Sequence, residues 1–182
     1  MLRFGKFAAL LLTFIVCVPI LFVGFYELHD FRPCLPKMNA IYNNMAAEDR
    51  KPPGKVQDFV WKVEGEMIDS FAARELLGEI RGPQRMASWH YHSAMWQLLL
   101  PAHFRKAKRL AFYCHYLPYE GGDGFSNASQ FYFGKAPDKL SVDEIAEIVV
   151  IGRGPHRNSP SRHPENLETA KKRLLDAYAS IH

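Results

Sequence analysis

Glu120-Gly121-Gly122-Asp123-Gly124-Phe125-Ser126-Asn127-Ala128-Ser129-Gln130-Phe131-Tyr132-Phe133-Gly134-Lys135, then Leu140-Ser141-Val142-Asp143-Glu144-Ile145-Ala146, is the stretch on which the fold turns. Residues 120–124 must be a loop, because each glycine would cost a helix interior roughly 1 kcal/mol. A short segment, Ser126 to Phe133, follows and Gly134 closes it. Ser141 and Glu144 have the spacing of a capping box ahead of an apolar face of Val142, Ile145, Ala146, Ile148 and Val149, so a helix starts there and ends near Gly152. Gly154 to His163 reads as a loop. Pro164 can occupy the first turn of a final helix that turns Leu167, Ala170, Leu174 and Tyr178 inward. Glu168 and Lys172 stand at i,i+4 on that helix and make a favourable pair.

Working back toward the N-terminus, Asn39 to Asp49 has helical spacing, with Ile41, Tyr42 and Met45 on one side and Pro52-Pro53-Gly54 as its stop. Gln57 to Ile80 carries an apolar face of Phe59, Val60, Val63, Met67 and Phe71, is weakened at Gly65 and ends at Gly82-Pro83. Arg85 to Leu100 is a third helical stretch, ended by Pro101. His103 to Tyr116 is a fourth, on which Arg105, Lys106, Lys108 and Arg109 give a basic face. Trp89, Trp96 and Phe112 read as core residues. No segment alternates as a strand does, so the predicted fold class is mainly α.

The chain has 182 residues, 48% of them hydrophobic and 13% aromatic, enough to bury a core and inconsistent with wholesale disorder. Phe7 to Tyr26 contains no charge, and 20 residues at about 1.5 Å each span about 30 Å, the depth of a hydrocarbon layer. A cleaved signal peptide is the competing reading, but its apolar region is shorter and ends in small residues, unlike Phe22-Val23-Gly24-Phe25-Tyr26. Arg3 and Lys6 precede the run and Glu27 and Asp30 follow it, which places the N-terminus in the cytoplasm and the rest outside. The predicted organisation is a cytoplasmic tail (1–6), a transmembrane helix (7–26), an extended connector (27–37, with Pro33 and Pro36) and one domain (38–182). Beyond Arg3 and Lys6 the chain keeps 21 Lys and Arg against 19 acidic residues, too mild a balance for a nucleic-acid binder. Cys17 lies in the apolar run. Cys34 and Cys114 would share an oxidising space, where they either pair or stay as half-buried thiols.

Beyond these local signals, the second half resembles the C-terminal part of the peptidoglycan glycosyltransferase (transglycosylase) domain of family 51, found in class A penicillin-binding proteins and in monofunctional transglycosylases. The resemblance is carried by Phe125 to Lys135 with its Tyr132-Phe133-Gly134-Lys135, by Leu140 to Ala146, by Asn158-Ser159-Pro160 and by Pro164-Glu165, in the family's order and spacing from near Leu110 to Tyr178. It implies a lysozyme-like helical domain beside a bacterial inner membrane, facing the periplasm. It also implies an activity: polymerisation of a lipid-linked disaccharide. That reaction needs a general base to deprotonate the attacking sugar hydroxyl, and cations or Mg²⁺ where pyrophosphate charge builds up.

The first half departs from the pattern. Ala46-Ala47-Glu48-Asp49-Arg50 resembles the start of the family's Glu-Asp-x-x-Phe-x-x-His-x-Gly, which would make Glu48 the base, but Pro52, Lys55 and Gln57 stand where Phe, His and Gly are expected. Gly65 to Ser70 keeps only a trace of the next motif. Counting back from Tyr132 puts the third, Arg-Lys-x-x-Glu, at Ser88 to His92, with His92 at the place of its glutamate. Arg85, Lys135 and the basic stretch of Arg105, Lys106, Lys108 and Arg109 are the candidate pyrophosphate contacts. No ligand set for a resident metal is readable, since His90 and His92 diverge on a helix.

Two functions follow. One is a membrane-anchored, divergent glycosyltransferase acting on or binding lipid-linked peptidoglycan precursor or nascent glycan. The other is a non-catalytic envelope module that uses the same fold to bind or assemble with other envelope proteins. Lytic cleavage is a weaker third reading, disfavoured by the lack of a clear second carboxylate near Glu48.

Overall fold

The computed structural model describes the backbone of residues 2–181 and the side chains of residues 14–181; the side chains of Arg3 and Lys6 lie outside the described residues. The mainly α expectation holds. Ten α-helices, one π-helical turn, two 3₁₀ turns and one hairpin of two-residue strands make up the described elements.

Helix α1 (Leu2–Tyr26) carries the apolar run. From Phe14 on, most of its side chains are exposed, Leu21 at 71% and Phe25 at 61% among them. It is long and apolar enough to cross a membrane.

The connector after it is a correction to the sequence reading. Glu27–Phe31 forms one π-helical turn and Arg32–Cys34 a 3₁₀ turn, leading directly into α2 (Leu35–Asn44). Pro33 and Pro36 fall at the first positions of their helical segments, where a missing N–H has no partner to lose. The prolines therefore start helices here instead of extending the chain. Met45 adopts an extended conformation and separates α2 from the short α3 (Ala47–Arg50).

Gly65 breaks the long helix expected from 57 to 80 into α4 (Gly54–Glu64) and α5 (Met67–Arg81), because it sits at φ +50°, a region side chains avoid. The break changes the register, and Met67 ends up half exposed instead of on the inner face. Helix α6 (Met86–His103) runs past Pro101, whose position in the last turn leaves Phe104 N free to close on the carbonyl of Leu100. Helix α7 begins only at Lys106 and ends at Tyr116. Pro118–Tyr119 (β1) and Gly122–Asp123 (β2) pair antiparallel around the glycine turn.

The second half follows its local signals closely. Helix α8 (Phe125–Phe133) stops at Gly134, which takes the left-handed conformation. Helix α9 (Val142–Gly152) opens with both hydrogen bonds of the Ser141/Glu144 capping box. Helix α10 (Pro164–Ser180) starts at its proline.

The core has two parts that share α5 and α7 as a common wall. One is built around Phe59, Leu110, Phe125, Ile145, Val149 and Leu174, from α4, α7, α8, α9 and α10. The other holds Tyr26, Phe31, Leu76, Trp96, Leu100 and Phe112, so the end of α1 and the turns after it are packed into the domain. Trp96 and Phe112 are fully buried, as read from sequence. Cys34 lies at the edge of the second part and Cys114 inside the first; both are free thiols, so the pairing considered from sequence is not formed.

Asp49 fixes α3 against α8. Its carboxylate is buried and accepts the Ser126 backbone N–H at 2.8 Å, capping the start of α8 from another helix. Gly124 at φ +107° makes room, since a Cβ there would sit 3.0 Å from the same carboxylate. Asp49→Ala should cost about 1–2 kcal/mol by leaving that N–H unpaired. Asp49→Asn keeps the acceptor and changes the pH response. Burial raises the Asp49 pKa above its ordinary 3.8, so the folded protein holds a proton that the unfolded chain has lost. Stability therefore falls as pH rises through that window. Melting curves should show this fall in the wild type and a flatter profile in Asp49→Asn; identical profiles would contradict the assignment.

Candidate functional site

A hollow of about 370 Å³ opens where α4, α5, α7 and α9 meet, walled by Glu64, Phe71, Arg74, Tyr113, Gly152 and Arg153. Glu64 is the last residue of α4, immediately before the turn at Gly65, and its side chain is almost fully buried. Its Oε1 accepts Arg153 Nε at 2.8 Å and the Tyr113 hydroxyl at 3.3 Å. Arg153 caps the C-terminus of α9, where a cation also suits the helix dipole. Burial, reinforced by the Glu64 carboxylate, pushes the Tyr113 phenol well above its ordinary pKa, so it stays a donor. The floor is thus a charge-paired, hydrogen-bonded carboxylate, and the rim adds the exposed Arg74 and the apolar faces of Phe71 and Met67. Such a surface can receive a ligand that has both an apolar part and an anionic one.

The residues singled out from sequence are not gathered at this hollow. Glu48 is exposed on α3 and lines none of the five hollows described for the protein. His92 faces the end of α1: its Nδ1 shares a 2.5 Å hydrogen bond with the Tyr26 hydroxyl, and Arg81 lies 3.4 Å away. Burial and the Arg81 charge lower its pKa, which makes it a neutral packing partner. Arg85 is exposed at the start of α6. Lys135 is paired with Glu144 at 2.5 Å, binding the α8 stop to the capping box.

The basic face of α7 does not exist as one surface. Arg109 turns inward to a buried ion pair with Asp69. Lys108 bonds Asn39 and lies over the Tyr42 ring at 4.5 Å, while Lys106 lies over Trp61 at 5.4 Å. Only Arg105 and Lys106 remain exposed. Likewise Glu168 pairs with Lys171 at 2.9 Å, not with Lys172, because Lys171 also faces Asp143 and Glu147 on α9. Burial works against a charge on Lys171, but these three carboxylates prevail and raise its pKa.

The sequence reading missed Glu64, Arg74 and Arg153. The only local signal for them was the break at Gly65, since Glu64 and Arg153 are 89 positions apart. The Mg²⁺ that accompanies the resemblance has no fitting donor set. Among the described residues no three His, Cys, Asp or Glu side chains converge on a point, and the one carboxylate that lines the hollow, Glu64, is paired with Arg153.

The family model described as Transglycosylase matches residues 73–179, more than half of the sequence, and the chain belongs to that family. It is 36% identical over 87 residues to penicillin-binding protein 1C of Escherichia coli (strain K12), an alignment covering 47% of this chain and 11% of that one. It is 36% identical over 80 residues to penicillin-binding protein 1B of Haemophilus influenzae (strain ATCC 51907), covering 41% and 10% respectively. The chain thus spans about a tenth of the length of the curated relatives it matches. Glu48 lies ahead of the matched range, whereas Arg74 and Arg153 lie inside it.

Proposed function

We propose that this chain is a single-pass membrane protein whose transglycosylase-family domain, on the periplasmic side of a bacterial inner membrane, binds lipid-linked peptidoglycan precursor or nascent glycan without polymerising it. The observation that carries the reading is the contrast between two carboxylates. Glu48, the base implied by resemblance, is exposed on a four-residue helix and lines none of the five hollows described, while Glu64 closes the floor of its hollow but is already engaged by Arg153 and Tyr113. A general base must reach the hydroxyl it deprotonates, and neither group is placed for that work. Arg74 and the outer edge of Arg153 remain to meet anionic oxygen, and Met67 and Phe71 to meet an apolar chain.

The anchor follows from the exposed apolar surface of α1. The cytoplasmic N-terminus follows from Arg3 and Lys6 before the run and Glu27 and Asp30 after it. Packing of Tyr26 and Phe31 into the domain core supports a domain held close to the membrane surface. Envelope partners are further ligands for a module of this kind.

Purified full-length protein with labelled lipid II tests this. Binding without glycan strands is expected, unchanged in Glu48→Gln and weakened about tenfold in Arg74→Ala, the size of one charge-assisted contact. Glycan strands that disappear in Glu48→Gln would instead make the protein a working polymerase. Absence of binding would leave a role toward protein partners alone.

A further inference from the structure

Beside the Glu64 hollow lies a larger one, about 600 Å³, between α10 and the loop that follows α9. Three guanidinium groups share it, from Arg153, Arg157 and Arg173, together with the polar side chains of Asn158, Asn166 and Thr169. No carboxylate lines it. Asn166, Thr169 and Arg173 fall at helical spacing on one face of α10, so they point into the hollow together.

The loop that supplies the other two arginines is held firmly. The buried Asn158 donates to the carbonyl of Val150 at 2.6 Å, Arg157 N and Asn158 N both close on the carbonyl of Gly154, and Asn166 reaches the carbonyl of Arg157.

What sets this place apart is its charge balance. Several cations of the domain are matched to acids, Arg81 to Asp30, Arg109 to Asp69, Lys135 to Glu144 and Lys171 to three carboxylates, whereas here three guanidinium groups share one hollow that no acid lines. Arg157 and Arg173 have no acidic partner among the described residues, and Arg153 is already balanced by Glu64. The hollow is therefore lined by two cations that have no acidic partner among the described residues, with a third guanidinium, already paired, at its edge. Guanidinium forks fit the oxygen pairs of phosphate, and two open charges match a dianion better than a single carboxylate.

We propose that this hollow is a binding site for a phosphate dianion, a phosphomonoester or a diphosphate, carried by a water-soluble ligand and gripped by Arg157 and Arg173 with Arg153 at its edge. The site adjoins the Glu64 hollow and shares Arg153 with it, but its two open charges, Arg157 and Arg173, line this hollow and not the other. Six of its eleven lining residues are polar or charged (Arg153, Arg157, Asn158, Asn166, Thr169 and Arg173), whereas the Glu64 hollow adds the apolar Met67, Phe71 and Leu117 to its wall. A soluble source is therefore favoured over a lipid headgroup.

The test uses the full chain in neutral-lipid nanodiscs and inorganic pyrophosphate, followed by ³¹P NMR line broadening and calorimetry. Saturable binding in the millimolar range or tighter is expected. Arg157→Ala and Arg173→Ala should each weaken it about tenfold, and Lys172→Ala, the same change of charge on α10 but outside the hollow, by less than about twofold. All three positions are exposed, and melting curves check that the fold survives. Nanodiscs of anionic phospholipid should leave pyrophosphate affinity within about twofold at matched ionic strength. No saturable binding, or equal weakening by Lys172→Ala, would overturn the site. A tenfold loss in anionic nanodiscs would make a headgroup its occupant and overturn the soluble source.

Discussion

Arg109→Met should destabilise the domain by about 3–5 kcal/mol, the cost of stranding a buried carboxylate. Asp69 and Arg109 are both buried, 40 positions apart in sequence, and joined by a direct ion pair. The pair is not fully satisfied even so: among the described residues Asp69 Oδ1 and Arg109 Nε have no hydrogen-bond partner. Much of the desolvation cost of the two ions is thus offset only by their mutual attraction and by the Trp61 ring, 5.3 Å from the guanidinium. Removing one ion leaves the other with that cost alone. Removing both, as in Asp69→Leu with Arg109→Met, eliminates the cost and should return stability to near the wild-type value or above it. Denaturant titration of the detergent-solubilised protein distinguishes the cases. If the double variant is as unstable as the single one, the charges are not what makes this position sensitive.

Trp96→Ala should cost a similar amount, about 3–5 kcal/mol, by opening a cavity at the place where the membrane-proximal turns meet the domain. The indole is fully buried, meets the Phe31 ring edge-on at 5.6 Å and lies 5.8 Å from the Arg81 guanidinium. Phe31 belongs to the π-helical turn just after α1, so the loss falls on the joint between anchor and domain. Two readouts are expected together: a lower melting temperature, and faster proteolysis within residues 27–34. Trp96→Phe keeps the aromatic contact and should recover most of both. A melting loss without any change in cleavage at 27–34 would show that Trp96 supports the domain but not the joint.

The same geometry explains how far the amino-acid order could be read. From Gly134 onward the signals are local and they acted as expected. Gly134 supplies a left-handed stop, Ser141 and Glu144 bond within one turn, and Pro164 starts α10. Where two locally sensible outcomes existed, neighbours in space chose between them. Pro33 and Pro36 suit either an extended connector or a helix start, and packing of Phe31 and Met38 into the core selected the helical path. Arg105 and Arg109 share a helix face by spacing, yet Asp69 draws Arg109 inward. Lys172 had the better spacing to Glu168, but Lys171 could reach two more acids on α9.

The candidate site was even less accessible to sequence reading. Glu48 is marked only by resemblance to a motif that breaks off after Asp49, and the fold leaves it exposed. Glu64, in contrast, has no distinguishing neighbour in the chain; only the approach of α4 to the end of α9 gives it Arg153.

Sequence alone therefore determined the helical class, the caps and stops after Gly121, the apolar N-terminal helix and the family. Each of these depends on side chains within a turn or two of one another, or on an ordered run of motifs. Tertiary structure decided which charges pair and which stay open, and so where a ligand can sit. The attraction between two charges depends on the distance and the water between them, and both are set only when helices far apart in the chain come together.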